Sequence, residues 1–148
     1  MLRLLEILLG APLDSQGNEA AFKAMTGNRS AEDAADTLRW GAGHNTEKSG
    51  ALLGAQAIFV VVDTFVLERG WPKLLTLASL FLLLAAALVL MTNLRSTMRS
   101  WQTAERAGGP HRHMFNMIVS RTIRFNIALY LTFLSILLMA AAALALLD

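Results

Sequence analysis

The chain has 148 residues, of which 55% are hydrophobic and only 16% charged, with a formal net charge of +2. A soluble globular domain carries about a quarter charged residues, so an ordinary water-exposed fold is a poor fit. A net charge this small gives no basis for nucleic-acid binding. There is no cysteine, which excludes disulfides, thiol catalysis and cysteine-ligated metals.

In chain order, residues 2–9 place Leu2, Leu4, Leu5, Ile7, Leu8 and Leu9 around Arg3 and Glu6. The two charges are three apart and share a helical face. This predicts a short amphipathic helix, either lying in the membrane interface or packed against another helix. It is too short and interrupted for a signal peptide and is expected to be retained. Gly10, Pro12 and Gly17 break it. A weak helical stretch follows over Asn18 to Met25. Ser30 and Asp33 then form a capping-box pattern. The helix it starts is expected to run through Ala34, Ala35, Leu38 and Trp40, with Gly41 and Gly43 loosening its end.

The first long apolar block runs from Ser49 to Leu67, with Asp63 as its one charge. As a helix it rises roughly 28 Å, close to the ~30 Å of a hydrocarbon core. Residues 68–73 make a turn in which Trp71 suits the membrane–water boundary and Pro72 suits a helix start. The second block, Leu74 to Met91, carries no charge and is the plainest of the three. Residues 93–124 hold Arg95, Arg99, Arg106, Arg112, Arg121 and Arg124 against the single acid Glu105. Gly108, Gly109 and Pro110 divide this segment into two predicted helices, one extending the second span into water and one leading into the third. The third block runs from about Phe125 to Leu147, long enough to span with some tilt.

The expected fold is an all-α membrane protein with three transmembrane helices and short N-terminal amphipathic or cytoplasmic helices. Residues 1–48 form the cytoplasmic or interfacial segment. Residues 49–147 form the transmembrane domain, with the basic connection at 93–124. Lys/Arg excess stays on the cytoplasmic side. The 93–124 connection nets +5 and the 68–73 turn +1. The expectation is a multi-pass protein of a bacterial inner membrane, N-terminus cytoplasmic and C-terminus periplasmic.

Asp63 stands out because a carboxylate inside a span is costly and marks function by default. Three roles suit it: reaching the outer headgroups or pairing with Arg69 or Lys73, a polar contact between subunits, or part of a proton or ion path. Gly50, Gly54 and Ala57 offer a small-residue face for close helix approach, and Gln56 beside them can hydrogen-bond across an interface. Gly50, Gly54, Gln56 and Asp63 are therefore the candidate helix-packing and oligomer residues. The arginines admit three partners: anionic lipid headgroups, an anionic ligand such as a nucleotide, or an acidic face of a partner. Lys48, Arg95, Arg99, Arg112 and Arg121 are the candidate ligand contacts.

His44, His111 and His113 lack a third ligand, so no metal site is expected. No cofactor is expected either. There is no phosphate-binding glycine loop, zinc-protease helix or nucleophile elbow, and no catalytic constellation, so the chain is not expected to be an enzyme.

The stretch His44-Asn-Thr-Glu-Lys-Ser-Gly-Ala-Leu-Leu53 resembles the membrane effectors of bacterial Pycsar antiphage systems. That family opens its first transmembrane helix with an Asp-x-Lys-Ala-Gly-like motif followed by leucines. Lys48, Gly50, Leu52 and Leu53 match, Ser49 takes the small position, and Thr46 stands where the family usually has Asp. In layout the likeness covers roughly residues 36–147. It implies an oligomeric effector, signalled by a cyclic pyrimidine nucleotide, that impairs the inner membrane of an infected cell. The competing class is a non-catalytic accessory or structural subunit of a larger membrane complex. A transporter has little support, since the spans are few and only Asp63 is charged within them.

Overall fold

The computed structural model describes residues 2–27, 30–94 and 109–145. They are helical throughout: α1 (Leu2–Leu9), α2 (Ser15–Thr26), α3 (Ala31–Glu68), α4 (Lys73–Leu94) and α5 (Pro110–Leu144). The last three are long and apolar enough to cross a membrane. Their spans carry the expected fold, an all-α chain with three transmembrane helices preceded by short ones. Contacts group the described residues of 2–48 and 109–126 into one unit and those of 49–94 and 127–145 into a second.

Local chemistry sets the helix ends. The α1 end is a Schellman-type stop: Gly10 has φ +62° and the Ala11 N–H donates back to the Glu6 carbonyl at 3.3 Å. A left-handed residue at this position is commonly glycine because a Cβ is penalised there. Gly10 has a second reason to be glycine, since a Cβ would lie 2.6 Å from Asn126 Nδ2. Asp14 caps α2 by accepting from the Gly17 N–H. The α3–α4 turn repeats the stop, with Gly70 at φ +83°, Trp71 N–H on the Val66 carbonyl and Gly70 N–H on the Leu67 carbonyl, both at 3.4 Å.

Ser30 caps α3 as the sequence pattern requires: its Oγ accepts from the Asp33 N–H at 3.1 Å and donates to Asp33 Oδ2 at 2.7 Å. Ser30→Ala removes this cap, a loss of about 1 kcal/mol. The expected result is roughly fivefold faster amide hydrogen exchange in the first turn of α3, with the turns beyond it unchanged.

One expectation fails here. Gly41 and Gly43 do not end a first helix; α3 continues unbroken to Glu68. Each interior glycine costs ~1 kcal/mol relative to alanine, and tertiary contacts outweigh this. At Gly41 an added Cβ would lie 3.4 Å from Ile118 Cδ1, so the bare backbone lets α5 come close. One turn further on, Asn45 Nδ2 donates to Thr122 Oγ1 at 3.0 Å. Thr46 Oγ1 accepts from Arg121 Nη1 at 3.1 Å.

The first unit has a small apolar core of Leu38, Phe115 and Ile118, with Phe22, Met25, Ala42 and Met114 packed on it. Phe22 meets Phe115 edge to face at 5.4 Å. Arg112 lies over the Phe22 ring at 4.7 Å and pairs with Glu19 at 2.7 Å. Both contacts hold α2 against α5. The carbonyl of Leu9 accepts from Asn126 Nδ2 at 2.7 Å, so the C-terminal end of α1 is docked on α5. Leu5, Ile7 and Leu8 of the same helix remain exposed. The packed reading of α1 thus holds at its C-terminal end.

The predicted continuation of the second span past Leu94 lies outside the described residues. So do Arg95, Arg99, Glu105 and Arg106.

Candidate functional site in a polar helix seam

The second unit has an inverted pattern. On α4 the outward positions are apolar: Leu74, Leu77, Phe81, Leu84, Leu88 and Met91 are all exposed. The buried positions are Thr76, Ser79, Leu83, Ala86, Leu90 and Asn93. Their steps of three and four are the spacing of a left-handed helix seam. On α3 the buried positions Ser49, Gln56 and Asp63 fall seven apart. On α5 the buried set is Ala128, Thr132, Ser135 and Ala142, at the same period. Three helices therefore turn polar side chains to one another, with Leu83 and Leu90 between the polar layers, and most of their leucines and phenylalanines outward. Lipid tails are as apolar as leucine, so nothing draws the aliphatic side chains inward, whereas each polar group needs a partner.

The seam has three layers. Asn93 Nδ2 donates to Ser49 Oγ at 3.4 Å. One heptad along, Gln56 Nε2 donates to Thr132 Oγ1 at 2.6 Å, and the Thr132 hydroxyl donates to the Ala128 carbonyl at 2.8 Å. Gln56 Oε1 is enclosed with no hydrogen-bond partner among the described residues. In the third layer Ser79 Oγ sits 2.6 Å from Asp63 Oδ2, 2.7 Å from Ser135 Oγ and 3.2 Å from the Ser135 carbonyl oxygen. A chain in which Ser135 donates to Ser79 and Ser79 donates to Asp63 uses both hydroxyl protons. At ~1.5 Å per residue the layers are roughly 10 Å apart, so the seam reaches through about 21 Å of α3.

This corrects the first of the three roles considered for Asp63. It is only 1% exposed and its carboxylate accepts from the Ser79 hydroxyl, not from headgroup-level cations. Neither Arg69 nor Lys73 pairs with it: the ion pairs among the described residues are Arg39–Asp36 and Arg112–Glu19. Arg69 lies instead over the Phe65 ring at 4.8 Å. The helix-packing expectation divides likewise. Gln56 and Asp63 pack between helices of the chain, whereas Gly50 and Gly54 are exposed and an added Cβ at either would meet nothing within 4 Å. These two face outward, away from the other helices of the chain.

The candidate ligand contacts among the described residues, Lys48, Arg112 and Arg121, do not converge. Lys48 is exposed on α3. Arg112 is held by Glu19 and Phe22, and Arg121 by Thr46. Nine residues are about two and a half helical turns, so Arg112 and Arg121 lie on opposite faces of α5. His44 stacks on Trp40 at 5.0 Å.

Sequence reasoning did not find the seam as a whole. Its signal was the heptad recurrence of Ser49, Gln56 and Asp63, answered by Thr76, Ser79 and Asn93 in the span that looked plainest.

Three long apolar helices, each bearing buried polar residues along a shared seam, define a multi-pass helical membrane protein with a polar-cored three-helix unit. No family model, curated protein or solved structure matches the chain.

Proposed function

We propose that this protein is an oligomeric membrane effector of antiphage defence, which impairs a bacterial inner membrane when signalled by a cyclic pyrimidine nucleotide. The observation that carries the proposal is the seam. A three-helix unit with an apolar exterior holds Ser49, Gln56, Asp63, Thr76, Ser79, Asn93, Thr132 and Ser135 buried. Polar side chains inside a membrane bundle add modest stability, typically under 2 kcal/mol per hydrogen bond. Leucine and alanine would pack a purely structural core as well. If the helices part or exchange partners with a neighbouring copy, the same side chains line a wet path for ions. The resemblance at His44–Leu53 supports the same reading, and the outward Gly50 and Gly54 are free for contact with another copy. Lys48 is the exposed cation of that motif. Arg112 and Arg121 must release Glu19 and Thr46 before they can bind a nucleotide phosphate.

The test is dye and ion leakage from liposomes bearing correctly inserted protein, with and without cyclic pyrimidine nucleotides. Leakage that depends on the nucleotide is expected. No leakage in either state would end the effector reading, and a stoichiometric partner chain retained in mild detergent would favour the complex subunit. A second variant isolates the seam. Gln56→Leu combined with Thr132→Val removes both hydrogen-bonding partners, a change that is close to neutral for folding. The expected outcome is unchanged detergent stability with leakage lowered at least tenfold.

A further inference from the structure

A second site lies in the first unit, where α5 approaches its apolar stretch. A cavity of about 380 Å³ opens between the α1–α2 connection and α5, with Leu13, Asn18, Asn116, Ser120, Ile123 and Arg124 in its wall. Asn116, Ser120 and Arg124 follow one another at four-residue steps, so they line one face of α5. Arg124 is exposed and has no hydrogen bond or ion pair among the described residues. The carboxylates of the adjoining segment are already used: Glu6 accepts from the Leu13 N–H at 3.0 Å and Asp14 from the Gly17 N–H.

The depth of this cavity is set by the chain itself. Leu9 is tied to Asn126, and the apolar run of α5 resumes at Ile127. Arg124 therefore stands at the boundary between water and hydrocarbon, the level at which lipid phosphates lie. The α1 segment, tied to α5 at Leu9, exposes Leu5, Ile7, Leu8 and Leu13, Ile7 to 77%. An amphipathic helix of this kind buries its apolar face at the headgroup–acyl boundary. We infer that this cavity binds a glycerophospholipid, with its phosphodiester on the Arg124 guanidinium, its polar head toward Ser120 and Asn116, and an acyl chain along Leu13. Arginine suits the task because its planar fork matches two phosphate oxygens. The inference does not depend on the effector reading.

Native mass spectrometry of the full chain, stripped of lipid in detergent and titrated with phosphatidylglycerol, tests it. One phosphatidylglycerol is expected to bind tightly, to bind about tenfold more weakly to Arg124→Gln, and to resist displacement by inorganic phosphate. Equal binding by the variant, or displacement by phosphate, would overturn the site. Because the chain has no cysteine, Ile7→Cys gives a single attachment point for a fluorophore. Quenching of that fluorophore by brominated lipid is expected both with Arg124 and with Arg124→Gln. Its absence with Arg124 present would remove α1 from the interface and the lipid site with it. Quenching kept in the variant shows that Arg124→Gln leaves α1 in place, so its weaker binding is read as loss of the phosphate contact.

Discussion

Phe115→Ala is expected to detach α2 from α5 and cost about 3–5 kcal/mol, the usual range for removing a buried aromatic ring. Phe115 is 2% exposed and centres the cluster with Leu38 and Ile118. The same ring meets Phe22 edge to face and lies 5.9 Å from the Arg112 guanidinium carbon. The first unit has few other buried apolar side chains to share the load, so the cavity has little to collapse onto it. The measurement is limited proteolysis with hydrogen exchange in detergent: α2 should lose protection while the second unit keeps it. Phe115→Leu, which retains most of the volume, should cost less than half as much. Wild-type protection of α2 in Phe115→Ala would show that the Glu19–Arg112 pair, not the core, holds that helix.

Ser79→Leu carries the second large effect. Ser79 is fully buried and its hydroxyl is within 2.7 Å of both Asp63 Oδ2 and Ser135 Oγ. A leucine there must push α4 away from its neighbours, a strain of about 1–3 kcal/mol. It also strips Asp63 of its hydroxyl partner, at about 1–3 kcal/mol for an unsatisfied buried polar group. A total near 3 kcal/mol is expected in reversible unfolding by denaturing detergent. Ser79→Ala separates the two terms, since it removes the hydroxyl without the crowding. It should cost about 1 kcal/mol, in the range of measured hydrogen bonds between membrane helices. Equal stability of Ser79→Leu and wild type would mean that α4 does not present this face to α3 and α5.

Much of the fold was legible in the residues. Unbroken apolar runs of about 20 residues have few stable homes besides a bilayer, and a bilayer admits a lone apolar run only as a helix. The Ser30 cap and the turn at Gly70 were legible for a similar reason, since both depend on neighbours within a few residues. The continuity of α3 through Gly41 and Gly43 was not. Local propensity argues for a break, and only the close approach of Ile118 and the bond from Asn45 to Thr122 repay the cost.

The candidate site divides the same way. Asp63 and Gln56 were conspicuous because a polar residue in a span is rare. Their partners were not, because Ser79, Ser135 and Thr132 are small hydroxyl residues that also suit a lone helix by bonding their own backbone. Gly50 and Gly54 were legible as small residues, but composition does not tell the direction in which they face, which is outward from the three helices. In water, the hydrophobic period tells which side of a helix is buried. In lipid that period is silent, because both sides are apolar. The sequence by itself therefore determined that three helices cross a membrane and which of their residues are polar. Only the tertiary structure decided that those residues meet one another along a common seam, since that depends on the rotation of each helix about its axis, and rotation is set by contacts between segments far apart in the chain.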